Sequence, residues 1–183
     1  MFEEPTRLVS HILQNDLPIT DLLQSDATFV NKRLAQHYGL PFSQGAGDWQ
    51  LTTGLKQQGR GGLLGMAVFL TKNSQPQRTS PVKRGFWVVH KLLGEHIPPP
   101  PPNVAVLPAK ETDTDGKTIR QLLALHTEDS KCARCHLRFD PIGLAMEGFD
   151  SIGRARSKDL AGRAIDNAVQ LPTGEQARDR KST

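Results

Sequence analysis

Five consecutive prolines occupy positions 98 to 102, in the stretch "IPPPPPN". No other feature restricts the backbone so tightly. Each proline fixes φ at about −65° and gives up its N–H, so the run is barred from a helix interior and from a central strand. Polyproline II at ~3.1 Å per residue is the expected conformation. The run then acts as a stiff strap between the segments on either side of it, with a docking site for a proline-reading partner as the other possibility.

The 183 residues suffice for one ordinary domain or two small ones. Only 5% are aromatic, and the net charge of +4 comes from scattered lysines and arginines. No aromatic stacking surface or basic stripe results, so no nucleic-acid partner is expected. No apolar run approaches the ~18 residues of a transmembrane segment. The start, "MFEEPTRLVSHILQ", carries acids where a signal peptide would be positive. As written the chain would stay in the cytoplasm; as a piece of a longer protein it would not have to.

Helices dominate the periodicity. "PTRLVSHILQ" sets Leu8, Val9, Ile12 and Leu13 on one face. "DATFVNKRLAQHYGLP" reads as a helix capped by Asp26, with Val30, Leu34 and Tyr38 aligned and Gly39 and Pro41 as the stop. "FSQGAGDWQLTTGLKQQGRGG" is loop or short strand, and residues 63 to 70, "LLGMAVFL", are buried in a conformation that periodicity leaves open. Ser80 and Pro81 open a further helix bearing Val82, Phe86, Val89 and Leu93, with Gly94 at its end. "KTIRQLLALH" aligns Ile119, Leu122, Leu123 and His126. "DPIGLAMEGFD" suggests one or two helical turns with Pro141 early, and "LPTGEQARDRKST" reads as disordered or as the first edge of another domain.

The chain's only two cysteines stand at 132 and 135, with His136 directly after. C-x-x-C-H is the attachment signature of c-type haem. Two thiols at this spacing match the two vinyl groups on one porphyrin edge, and the next residue supplies the proximal imidazole. Random placement gives the pattern roughly a few times in ten thousand, so coincidence is a weak rival. A structural zinc site wants four ligands, and His126 is the nearest further histidine. A redox dithiol wants a βαβ setting, which is not visible. A disulfide between Cys132 and Cys135 would be strained. Zinc, a dithiol and inert cysteines remain the alternatives.

"CARCHLRFDPIGLAMEGFDSIGRAR" resembles the cytochrome c-like domain of large multidomain proteins of planctomycetes and related bacteria, domains of unknown function. The upstream blocks "DATFVNKRLAQHYGLP", "RGGLLGMAVFLTKNSQPQRTSPVKRGFWVVHKLLGEHIPPPPPNV" and "TIRQLLALHTEDSKCARCH" resemble the same proteins, so the likeness spans about residues 2 to 157. The resemblance implies haem c on Cys132 and Cys135 with His136 on the iron, and an exported, periplasmic protein of which this chain is a portion. It implies a helical region over 1–97, a cytochrome c-like module over 98–157, and a tail or truncated start of a following domain over 158–183.

The expected fold is mainly α, a helical region plus a small haem module joined by the proline strap. Electron transfer is the leading function, with a redox partner protein or other domains of the same polypeptide as partners. A haem enzyme with an open distal site, or a structural Cys/His metal site, is the alternative. Met146 and His126 are the candidates for the distal iron ligand, and Met66 is more plausible as core. Members of the resembled family often carry Met where this chain has Phe139. Arg134, Arg138, Arg154 and Arg156 are candidates to pair with haem propionates. Asp140 and Asp150 read as caps or ion-pair partners.

Overall fold

The computed structural model describes residues 1–43, 48–104 and 106–177. Seven α-helices and two small antiparallel sheets, each of two strands, form among these residues. The architecture is therefore helical with a β contribution, rather than plainly mainly α. The chain divides into two units. Among the described residues, one takes Met1–Lys72 together with Ile152–Ala155; the other takes Asn73–Ser151 and Arg156–Ala177.

In the first unit, α1 (Glu3–Gln14) buries Leu8 and Ile12 against Met66, whereas Leu13 is 68% exposed. The apolar stripe is narrower than the run of aliphatic residues suggested. After a short α2 (Asp21–Gln24), β1 (Thr28–Val30) stands where the sequence suggested a helix start. Thr28, Phe29 and Val30 favour a pleated strand. The cap falls to Asn31, whose side chain accepts a bond from the Leu34 N–H at 2.9 Å and opens α3 (Lys32–Tyr38). Asp26 instead accepts bonds from the N–H groups of Gly54 and Lys56. Gly39 ends α3 with φ +70°, as its position predicted.

Strand β1 pairs with β2 (Gln50–Thr52), Phe29 facing Leu51. Of the expected loop before β2, residues 44–47 lie outside the described residues. The segment left open by periodicity is a 3₁₀ turn (Leu63–Gly65) followed by α4 (Ala67–Lys72), with Met66 buried between them as core.

A buried carboxylate organises this unit. Glu4 accepts bonds from Tyr38 Oη at 2.7 Å and Thr28 Oγ1 at 2.9 Å, and Tyr38 Oη accepts from the Ala67 N–H. Burial pushes the Glu4 carboxyl up from 4.5 to about 7, against the lowering effect of the bonds from Tyr38 and Thr28. The Arg60 guanidinium lies 4.0 Å over the Tyr38 ring.

The second unit is built on three helices. Ser80 caps α5 (Pro81–Trp87), accepting from the Lys83 N–H. The helix runs on into a π-helical turn (Val88–Leu92). That wider turn rotates the face, so Val88 and Val89 are buried while Leu93 is 58% exposed. The four-residue spacing that aligned Leu93 with Val82 and Phe86 misses this extra residue. Helix α6 (Ile119–His126) opens with a capping box of Thr118 and Gln121 and buries Ile119 and Leu123.

Helix α7 runs unbroken over Ser130–Leu144, with Asp129 capping its start. The separate turns expected for "DPIGLAMEGFD" are in large part its last stretch. Pro141 removes the N–H that would meet the Leu137 carbonyl. Leu137 is 62% exposed, so solvent is at hand there.

Helices α5 and α7 meet backbone to backbone. A Cβ on Gly85 would fall 1.8 Å from the Phe139 carbonyl oxygen, and one on Gly143 would fall 1.9 Å from that of Pro81. Only hydrogen fits at either position.

Beside this crossing lies a buried ionic cluster. The Arg156 guanidinium bonds both carboxylate oxygens of Glu111 at 2.9 Å and Glu147 Oε2 at 3.1 Å. Thr79 Oγ1 donates to Glu147 Oε2 at 2.8 Å. Fully buried Arg84 donates to the carbonyls of Met146, Phe149 and Asp150 and pairs with Glu147 Oε1 at 3.7 Å. Burial lowers Arg84 to about 10, against the raising effect of Glu147. Burial raises Glu147 as well, against the lowering effect of Arg156 and Arg84. For Glu111 burial also acts upward, but the bond from the Leu160 N–H and the Arg156 charge outweigh it and hold the group below the usual range.

The chain after 158 is ordered as far as it is described. Strand β3 (Val169–Gln170) pairs with β4 (Gln176–Ala177), and Val169 packs against Ile119, Leu123 and Leu144. Of the tail "LPTGEQARDRKST", residues 171–177 form a turn and strand β4, and residues 178–183 lie outside the described residues.

Candidate functional site

Helix geometry sets the site. Cys132, Cys135 and His136 stand at i, i+3 and i+4 of α7, so they share one face. That face lines a cleft of about 180 Å³ that opens to solvent.

The opposite wall comes from α5 and the proline run. Val82 and Phe86 form its floor, and Ile97, Pro98, Pro99, Pro100, Pro101 and Val104 form its side. The prolines are themselves exposed and make a rim of the cleft. The cleft is mainly apolar, with Lys131 bringing a positive charge.

His136 is the most constrained member. Its Nδ1 bonds Asp140 Oδ2 at 2.9 Å. A carboxylate only accepts, which puts the proton on Nδ1 and leaves Nε2 for a ligand. The Phe139 ring lies 4.8 Å from the imidazole, and the His126 ring meets it edge to face at 4.6 Å. Phe139 is in turn met by Phe86 at 6.0 Å. Both cysteines are free thiols of intermediate exposure.

Of the residues singled out from the sequence, Cys132, Cys135, His136 and His126 therefore line one cleft. Met146 does not: it follows the end of α7, and its carbonyl is bound by Arg84. Among the arginines, Arg156 is committed to Glu111 and Glu147. Arg138 pairs with Glu95. Arg154 belongs to the first unit, where its Nε donates to His37 Nδ1. Arg134 is exposed on α7. Asp140 does not cap a helix; it accepts a hydrogen bond from His136 Nδ1. The i, i+4 spacing of these two residues was the available signal.

Two thiols and an imidazole on one helix face suit a group that is held at an edge by sulfur and ligated axially by nitrogen. They do not form a preset cage: among the described residues, no group of three or more His, Cys, Asp or Glu is arranged to hold a metal ion. No helix among them is long and apolar enough to cross a membrane.

Fold and site together define a helical chain with two small sheets and a C-x-x-C-H helix facing an apolar cleft. The chain belongs to the family described as PSCyt3, protein of unknown function (DUF1588), whose model matches residues 60–159. Residues 1–40 match a second family model, PSD4, protein of unknown function (DUF1592). Both are consistent with the resemblance to planctomycete-type multidomain proteins. No curated protein and no solved structure matches the chain.

Proposed function

We propose that this protein binds one haem c covalently and serves as a single-electron relay within a larger exported, periplasmic redox protein. The observation that carries this reading is the sharing of one apolar cleft by Cys132, Cys135 and His136, at the C-x-x-C-H spacing on a single helix. When bound, the haem supplies a reversible one-electron iron couple.

The chain's own residues then have distinct tasks. Cys132 and Cys135 hold the group by thioether bonds. His136 offers Nε2 to the iron. Phe86, Phe139 and the proline rim would keep water from the bound group. Lys131 offers a charge to its carboxylates. Of the two distal candidates His126 lines the cleft and Met146 does not, but the His126 ring touches that of His136 and would have to swing away to ligate the iron from the opposite side.

One observation favours a second reading. Phe139, where resembled proteins often carry Met, is 4% exposed and packs beside His136. A chain without that methionine has less to offer a sixth coordination position, which would suit peroxidase-like chemistry.

The test is expression in a periplasm with a cytochrome c maturation system, followed by intact mass and an absorption spectrum. The expected result is a gain of one haem that survives denaturation and is lost in the Cys132→Ala, Cys135→Ala double variant. A six-coordinate low-spin spectrum supports the relay and a five-coordinate one the enzyme. A folded, exported chain with no added mass overturns both, and bound zinc would then favour a structural Cys/His site.

A further inference from the structure

We infer that Asp140 is a positioning residue that holds His136 in its Nδ1–H form and sets the reduction potential of the haem iron. This rests on the haem reading above.

Three observations carry it. Asp140 lies one helical turn after His136 on α7, and their side chains meet at 2.9 Å. The Asp140 side chain is 8% exposed, so solvent does little to screen it. Its second oxygen, Oδ1, is buried without a hydrogen-bond partner among the described residues. A carboxylate usually spreads its charge over several donors. Here the imidazole Nδ1–H has little competition.

The chemistry follows from that geometry. A carboxylate on the far nitrogen of a metal-bound imidazole fixes the tautomer and ring orientation and makes the ligating nitrogen more basic. A more basic axial ligand favours ferric over ferrous iron. Second-shell hydrogen bonding of this kind is one of the levers that sets a haem potential. Asp140 thus biases the protein toward the oxidised state without touching the iron.

The experiment compares wild type with Asp140→Asn, both carrying haem, by spectroelectrochemical titration at one pH. The amide keeps the shape and an acceptor oxygen but loses the charge. The expected result is at least a tenfold shift of the one-electron equilibrium toward the ferrous form, ~59 mV positive. A shift under twofold, with equal haem content, overturns the inference and leaves the haem reading standing.

If Asp140→Asn does not accumulate, Asp140→Glu carries the same comparison. Its displaced carboxylate is expected to give a smaller positive shift, and no shift overturns the inference. A second readout needs no haem. In the full-length haem-free chain, ¹⁵N-resolved imidazole spectra should show His136 as Nδ1–H, moving toward Nε2–H in Asp140→Ala. An unchanged tautomer overturns the positioning role. A wild-type chain that takes up no haem overturns the haem reading, and the assigned potential falls with it.

Discussion

The crossing of α5 and α7 makes a prediction whose sign opposes the usual rule. Replacing a glycine inside a helix by alanine ordinarily gains about 0.5–1 kcal/mol. Gly143→Ala should instead destabilise the second unit. Its new Cβ would lie 1.9 Å from the Pro81 carbonyl oxygen, where ordinary contact begins at 3.4 Å. The obstacle is backbone, so no rotamer change relieves it, and the helices must part by about 1.5 Å. A gap of only ~0.5–1 Å already forfeits a quarter to a half of the dispersion energy of the atoms lining it. Overpacking of this kind costs about 1–3 kcal/mol, enough to reverse the gain in propensity. The two tryptophans make the assay specific, since Trp49 lies in the first unit and Trp87 in the second. In a Trp49→Phe background, fluorescence reports on Trp87 alone during urea unfolding, and linear extrapolation yields the stability difference. A Gly143→Ala chain as stable as its parent, or more stable, would refute the close approach.

Two further outcomes arise from the buried charges. Arg156→Met removes the cation between Glu111 and Glu147 and should cost about 3–5 kcal/mol, because it leaves two buried carboxylates facing each other; a loss under about 1 kcal/mol in the same urea titration would contradict the cluster. Glu4 has a folded-state pKa of about 7 against 4.5, so the folded first unit holds a proton that the unfolded chain has released within that window. Its contribution is complete below 4.5 and is lost as pH rises to about 7, a fall of about 3 kcal/mol. Melting temperatures of wild type and Glu4→Gln between pH 4.5 and 8 measure this, and parallel curves would rule it out.

Local rules foresaw local features. The Ser80–Pro81 helix start, the Gly39 stop, the face of α6 and the C-x-x-C-H spacing all depend on residues within one or two turns, and periodicity reports such relations. Errors arose where two local readings competed. Asp26 and Asn31 are equally good caps, and only the pairing of Thr28–Val30 with β2 chooses between them. Pro141 is a fair helix start and also a tolerated interior residue once both sides of it pack on α5. The π-helical turn after Trp87 leaves no mark in a four-residue pattern. The ionic cluster was beyond reach for another reason. Thr79 and Glu147 are 68 residues apart, and Arg156 meets Glu111 across 45. No spacing rule connects them: Thr79 carries no charge, and Arg156 was legible only as a candidate partner for haem propionates. Glu4 gave a fainter signal, since it falls on the same four-residue stripe as Leu8 and Ile12.

The proline rim has a consequence in entropy. Loops that line a binding cleft usually lose freedom when a ligand is seated, at ~0.5–1.5 kcal/mol for each side chain immobilised. Proline has almost no rotamer freedom to lose, and its φ is fixed before folding begins. Pro98 to Pro101 therefore form a wall whose ordering is largely complete in the unfolded chain. A ligand entering beside α7 meets one side of its cleft already at rest.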